Sequence, residues 1–469
     1  MIGDLKPHAA YKDSGQDWLG AVPAHWTLLR AKRLFREVDE RSKTGKEELL
    51  SVSHLTGVTP RRLKTVTMFL AESNVGHKVC RPGDLIINTL WAWMGALGVT
   101  RHTGIVSPAY GVYRPIGGGG ILPAYADHLL RTPLYAAEYQ RRSTGVNSSR
   151  LRLYPEQLLR TPILVPPLVE QAAIVRFLDW ANGRLERTIR AKRKVIALLT
   201  EQKLAVINRA VTCGDDPKGQ LKSSGVQWLG DIPRHWEVIS LRMRYSVELG
   251  KMLDAKRITG RNSIPYLRNR DVQWDNVLTD DLPTMDIAPD ELSRYTVQKG
   301  DLLICEGGQV GRSAFWEAAL PICGYQKALH RVRSFDRNRD YPRFLFYQLQ
   351  LAAGLGVFSA DGNENTIAHL TNEKLRRHRF VFPPIPEQKA VADALDTELL
   401  EFQKITSRLE REIELLREYR TRLIADVVIG KLDVRDAALR LPHDFAPDVA
   451  VDLSHETDAA ELTNEEAEA

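Results

Sequence analysis

Lys12-Asp13-Ser14-Gly15-Gln16-Asp17-Trp18-Leu19-Gly20-Ala21-Val22-Pro23-Ala24-His25-Trp26 decides how this chain is built, because it is written a second time. Lys222-Ser223-Ser224-Gly225-Val226-Gln227-Trp228-Leu229-Gly230-Asp231-Ile232-Pro233-Arg234-His235-Trp236 repeats nine of its fifteen positions in identical order and spacing, both tryptophans among them. A second pair agrees with the first: Pro166-Pro167-Leu168-Val169-Glu170-Gln171 returns as Pro383-Pro384-Ile385-Pro386-Glu387-Gln388. Each copy of this second motif opens a long amphipathic stretch. A repeat of more than 200 residues lies far above the periods of roughly 20 to 50 residues that mark stacked arrays, so it reads as domain duplication.

Between the two motifs each half has the texture of short strands broken by turn residues. In the first half these are residues 79–89 with a turn at Pro82-Gly83, then 104–113, then a loop at 117–120. Gly83-Asp84-Leu85-Ile86-Ile87 aligns with Gly300-Asp301-Leu302-Leu303-Ile304 and Gly145 with Gly362, at an offset of 217. The opening motifs are offset by 210, so seven additional residues lie between the motif and the Gly-Asp strand in the second copy. That is the behaviour of variable loops on a fixed frame.

The Pro-Pro steps mark helix starts, and Glu170 and Glu387 in the first turns suit the helix dipole. The second helix, from Glu387 to about Ile429, carries Leu395, Phe402, Leu409, Leu416 and Leu423 at seven-residue spacing, widened by Val391, Ile405, Ile413, Tyr419 and Val427. The first, from Glu170 to about Val211, has Leu178, Leu185, Leu199 and Val206 in the same frame beside Ile174, Ile189, Val195 and Ile196, with Lys192 interrupting it. Heptads of this kind imply two helices packed on each other as a coiled coil, antiparallel because the second must fold back beside the first. At 1.5 Å per residue such helices would run about 60 Å. The alternative is that each helix packs on its own head.

The net charge of +6 hides an asymmetry. Residues 441–469 hold nine acidic side chains and no Lys or Arg, which leaves 65 basic against 50 acidic residues in the rest. A body that basic favours a polyanionic partner, and the acidic tail is expected to be disordered. No apolar run approaches the roughly 18 residues that cross a bilayer, and the first residues lack a signal-peptide apolar region, so a cytoplasmic protein is expected. Cys80, Cys213, Cys305 and Cys323 are scattered without a Cys-x-x-Cys pair, which argues against a zinc site or a disulfide framework and for reduced, mostly buried thiols.

Catalytic motifs are missing. Gly45-Lys46, Gly250-Lys251 and Gly430-Lys431 lack the rest of a phosphate loop. There is no Asn-Pro-Pro-Tyr or Asp-Pro-Pro-Tyr stretch to hold an extruded adenine. His455-Glu456 does not extend to a zinc-binding helix. No metal site and no cofactor is expected in this chain, and binding is favoured over turnover.

Candidate contact residues lie where the two copies differ. After the Gly-Asp strand the first half has Asn88-Thr89-Leu90-Trp91-Ala92-Trp93-Met94-Gly95, whereas the second has Cys305-Glu306-Gly307-Gly308-Gln309-Val310-Gly311-Arg312. The stretch before it carries Arg61, Arg62 and Lys64 in the first half and Arg257, Arg261, Arg268, Asn269 and Arg270 in the second. Arginine can pair with guanine, Asn and Gln with adenine, and Lys or Arg with phosphate. Tyr110, Asn147 and Arg150 in the first half, and Gln326, Lys327, Asn363 and Asn365 in the second, complete the set. The bland reading of each is a solvated face or turn chemistry. Trp91 and Trp93 alternate as strand residues do, so at least one is expected in the core. The repeated Trp18, Trp26, Trp228 and Trp236 are assigned to packing, since residues shared by both heads cannot distinguish their targets.

The ordered double set of Trp-Leu-Gly-x-x-Pro-x-His-Trp, the Gly-Asp-Leu strand, and Pro-Pro-x-x-Glu-Gln before a heptad helix resembles the specificity subunit of Type I restriction-modification systems, over nearly the whole chain to about Lys431. The resemblance implies an α+β chain with two pseudo-repeated α/β target recognition domains separated by a long antiparallel two-helix coiled coil. It places target recognition domain 1 at residues 1–166, the central helix at 167–214, target recognition domain 2 at 215–383, the C-terminal helix at 384–431 and the acidic tail at 432–469. It implies a noncatalytic subunit that reads a bipartite, asymmetric site on double-stranded DNA. The partners would be two methylation subunits and restriction/translocase subunits, with S-adenosylmethionine, ATP and magnesium in those partners. Two other readings stay open from the residues alone: a methyltransferase or nuclease complete in one chain, and a two-headed scaffold that binds protein.

Overall fold

The computed structural model describes residues 5–64, 73–117, 120–145, 151–214, 220–253, 260–358 and 369–442. The architecture is α+β, and the chain divides into two units, residues 1–192 with 411–469, and residues 193–410.

In the first unit a four-stranded antiparallel sheet runs Phe35–Glu37, Gly111–Pro115, Leu85–Ile87, Leu97–Val99. Thr27–Arg30, which follows the first tryptophan motif, pairs with Pro162–Val165, which runs into the first long helix. In the second unit Tyr245–Leu249, Leu329–Ser334, Leu302–Cys305 and Ser313–Phe315 form a four-stranded antiparallel sheet in that order. There Glu237–Ser240 pairs with Arg379–Phe382.

The Gly-Asp step before the Leu85–Ile87 strand has a physical reason. Gly83 adopts φ +92°, open to glycine and strained for other residues, to turn into the strand. The buried Asp84 accepts the Arg81 amide at 2.9 Å and a two-pronged contact from Arg114 Nε and Nη2, each at 2.9 Å. In the second unit Gly300 turns at φ +84°, and Asp301 accepts from the Gln298 amide and from Arg333. A buried carboxylate is tolerable because a guanidinium neutralises it and its remaining lone pairs are used.

The two repeated motifs turn out to be each other's partners. Trp26 is fully buried, and its Nε1–H donates to Glu170 Oε1 at 3.0 Å, while His25 Nε2 lies 2.7 Å from Glu170 Oε2. Gln171 donates to the carbonyls of Gly120 and Pro166 and accepts the Leu122 amide, fastening the helix start to the head. In the second unit Trp236 donates to Glu387 at 2.8 Å, His235 bonds the same carboxylate, and Gln388 bonds Pro383, Arg339 and Tyr341. Trp18 and Trp228 are half-buried, edge-on to Tyr135 and Phe380.

The long helices are Leu168–Cys213 and Ile385–Val428, each within about two residues of its expected bounds. Ile174, Phe177, Leu178 and Ala181 from the start of the first join Leu423, Val427 and Val428 from the end of the second in the core of the first unit. Ile207 and Val211 join Val391, Leu395 and Leu399 in the core of the second. Within the first unit Glu186 pairs with Arg420 and Lys192 with Glu412, so the lysine that breaks the heptad has a carboxylate opposite it. Ile405, Tyr419 and Val195, read from the sequence as part of the apolar stripe, are exposed. A seam between two helices covers only a narrow face, and residues at its margins stay in water.

Cys80, Cys305 and Cys323 are buried and Cys213 is half-buried, all four as free thiols. Burial pushes the Cys80 thiol up to about 12, which makes it inert. Among the described residues no helix is long and apolar enough to cross a membrane. The acidic tail from residue 443 onward lies outside the described residues.

Candidate nucleic-acid interface

In the first unit the strand Leu85–Ile87 leaves the sheet at Asn88 and enters a tight loop. Trp91 and Trp93 do not alternate along a strand: Ala92–Met94 is a turn of 3-10 helix closed by Gly95 at φ +85°. Ala92 takes the core position, and both tryptophans stay half-exposed with their rings stacked, 6.3 Å apart and 15° from parallel. This corrects the expectation that one of them is core. The strand reading failed because the chain leaves the extended conformation after Asn88: the small Ala92 takes the core position and Gly95, in the left-handed region, reverses the chain.

The loop is held at both ends. The Asn88 amide donates to the Ala96 carbonyl at 3.0 Å, Asn88 Nδ2 donates to the Tyr110 hydroxyl at 3.1 Å, and Trp93 Nε1 donates to the Leu90 carbonyl at 3.0 Å. The Thr89 hydroxyl donates to Ala109, and the Leu153 amide donates back to Thr89. Tyr110 and the residues after 150 therefore join the tryptophan loop. Arg61 and Arg62 stand on another 3-10 turn, Arg61–Leu63, that follows the hairpin of Leu50–Ser53 and Gly57–Pro60. Arg62 is 72% exposed, with its Nε 2.6 Å from Glu48. Lys64 is the last described residue of that segment, and Asn147 and Arg150 lie outside the described residues.

In the second unit three segments converge. The loop after Leu302–Cys305 turns on Gly308 at φ +67° and Gly311 at φ +84°, and Gln309 is exposed at its tip. Arg312 Nη2 donates to the backbone and side-chain oxygens of Asn269 at 2.9 and 3.1 Å, and Asn269 Nδ2 donates to the Gly307 carbonyl at 3.1 Å. Gln326 and Lys327 sit on a turn whose amides donate to Leu267 and Lys251. Gly250 has to be glycine there, since a Cβ would stand 2.3 Å from two carbonyl oxygens of that turn.

Arg268 is spent locally: it grips Asp271 through two nitrogens at 2.8 and 2.9 Å, and that hydrogen-bonded carboxylate pushes its pKa up. Arg270 and Lys327 are exposed, and Arg261 is exposed and not without a partner. Arg257, Asn363 and Asn365 lie outside the described residues. The geometry thus separates framework groups (Arg268, Arg312, Asn269) from outward ones (Gln309, Arg270, Lys327). It also draws in Asn88, the first residue of the divergent stretch, which bonds Tyr110, and Lys251, which bridges to Gln326.

Comparisons with known proteins point one way. Residues 233–415 match the family model of the Type I restriction modification DNA specificity domain. The chain is 25% identical over 222 residues to the Type I restriction enzyme EcoBI specificity subunit of Escherichia coli, covering 46% of this chain and 44% of that protein. It is 26% identical over 339 residues to the EcoKI specificity subunit of Escherichia coli (strain K12), covering 69% of this chain and 68% of that protein. The chain thus spans less than half of the first relative and about two thirds of the second. A solved chain, from work on complex assembly and conformational transition of the type I R-M system, overlaps 88% of this chain and 99% of its own length with a TM-score of 0.58 at 16% identity, a likeness of fold.

Proposed function

We proceed from this chain's membership of the Type I restriction-modification specificity-subunit family and propose that it reads a bipartite DNA site, one half-site per head, and directs partner subunits that do the chemistry. One observation carries this reading. Leu85–Ile87 and Leu302–Cys305 enter matching sheets through the same Gly-Asp turn, and the loops that follow them present unlike chemistry: a stacked tryptophan pair in one, a Gly-rich loop tipped by Gln309 in the other. Shared frames with different tips suit two different half-sites.

In the same reading the long helices form an antiparallel coiled coil that sets the unread gap between half-sites. Two methylation subunits carry S-adenosylmethionine, restriction/translocase subunits carry ATP and magnesium, and the assembly works in the cytoplasm. The basic excess of the body outside the acidic tail supports a phosphate backbone as partner.

Exchanging residues 1–166 for the corresponding head of another member, and sequencing the methylated sites made with the partner subunits, is the test. One half of the site changes and the other stays. If both halves are retained, the division of labour between heads is wrong.

A further inference from the structure

Three donors far apart in sequence meet in the first unit. His25 Nε2 lies 2.7 Å from Glu170 Oε2, and His8 Nε2 stands 3.8 Å from Glu170 Oε1. One ligand atom from each of the three residues falls within 4.8 Å of the others. The side chains of His8 and Glu170 are 2% and 5% exposed, while that of His25 is 40% exposed, so the cluster is sealed at its floor and reached past His25.

A second observation points to a ligand. His8 Nδ1 is buried and makes no hydrogen bond among the described residues, yet it faces Asp433 Oδ2 at 3.8 Å. The carboxylates are held for their part: Trp26 donates to Glu170 Oε1, and Arg435 grips Asp433. A buried imidazole with one nitrogen toward two donors and the other toward a carboxylate is arranged as a metal ligand with its outer partner.

The second unit supplies the control. His235 and Trp236 hold Glu387 in the manner of His25, Trp26 and Glu170, but the position 210 residues after His8 is Lys218. Among the described residues, the His-Glu-Trp contact of the second unit has no third donor beside it. His8 is an addition made once.

We propose that His8, His25 and Glu170 bind a divalent transition metal, zinc by ligand preference, with Asp433 as the outer carboxylate that orients His8. Two imidazole nitrogens and one carboxylate oxygen suit zinc, and three protein ligands leave a fourth position for water on the His25 side. Binding exchanges the His25–Glu170 hydrogen bond for two bonds to the ion, with the His25 ring proton carried on Nδ1 instead of Nε2. The ion fastens the arm before the first motif to the start of the first long helix and, through Asp433, to the segment after the second.

Full-length protein stripped with a chelator and titrated with zinc chloride in a calorimeter tests this, with cobalt(II) absorption reporting the ligand field. One saturable equivalent is expected, together with a rise in Tm of several degrees at excess zinc. Affinity should fall at least tenfold in His8→Ala and His25→Ala, fall on the order of tenfold in Asp433→Asn, and stay unchanged in His235→Ala. Far-UV circular dichroism checks that each variant is folded; should His8→Ala fail that check, Asp433→Asn, which preserves shape, carries the comparison. No saturable binding by the unaltered protein, or equal binding after loss of His8 or of the Asp433 charge, overturns the proposal.

Discussion

His330 lies on Leu329–Ser334, the second strand of the second unit's sheet, with its ring sealed from solvent and its Nε2–H donated to the Leu370 carbonyl at 2.6 Å. Burial pushes its pKa down from 6.5 to about 4, partly opposed by that hydrogen bond. The sign follows from which state takes the proton first. As the pH falls below 6.5 the unfolded chain is protonated while the folded ring stays neutral, so folding stability is complete above that value and is lost as the pH falls toward 4. The gap between 6.5 and about 4 corresponds to about 3 kcal/mol. His330→Gln keeps a donor for Leu370 and removes the titration. Urea midpoints at pH 7 and pH 4.5 should therefore diverge less in the variant than in the parent, and equal divergence would show that the acid sensitivity resides elsewhere.

At the scale of the elements, the ends of the long helices are where packing is least forgiving. Gly430, just past Ile385–Val428, has φ +83°, and a Cβ there would stand 2.5 Å from Pro23 Cγ and 3.0 Å from the Trp26 ring. Gly214, just past Leu168–Cys213, has φ +61°, and its Cβ would meet the Trp236 ring at 2.9 Å. Each glycine both reverses the chain and lets the helix end seat on the buried tryptophan of the motif. Gly430→Ala should cost about 2 kcal/mol or more, strain and clash together, read as a lower Tm; an unchanged Tm would mean that this seat does not contribute to the fold. The same elements show what a sequence can tell. The helices were legible because Pro-Pro starts and seven-residue spacing are local signals, and Glu170 and Glu387 stood out by recurring. That these carboxylates receive Trp26 and Trp236 was not legible, since the partners lie 144 and 151 residues apart. Nor was the fate of Arg268 and Arg312, whose bonds to Asp271 and Asn269 exist only once the loops are folded. The cluster of His8, His25 and Glu170 was hidden for the same reason: a ligand set assembled from three segments has no spacing to read.

For the molecule as a whole, the proposed reading makes distance a property of the helices and sequence preference a property of the heads, and the two can be separated by length. Lys192 and Glu412 face each other in the first unit, so four residues added beside each of them lengthen both helices at one level. Four residues add about 6 Å of rise and about 40° of rotation beyond a full turn, and in a heptad frame they are a stutter that unwinds the pairing locally without ending it. Against a DNA rise of 3.4 Å per base pair, the unread gap should grow by one or two base pairs. The bases read on either side should stay as they were, because Trp91, Trp93, Gln309 and Arg312 are held by contacts within their own heads. Mapping methylated sites in the presence of the partner subunits measures both quantities at once. A lengthened gap with unchanged half-sites is the expected result; altered half-sites would mean that the helices shape the reading surfaces, and an unchanged gap would mean that they do not set the distance.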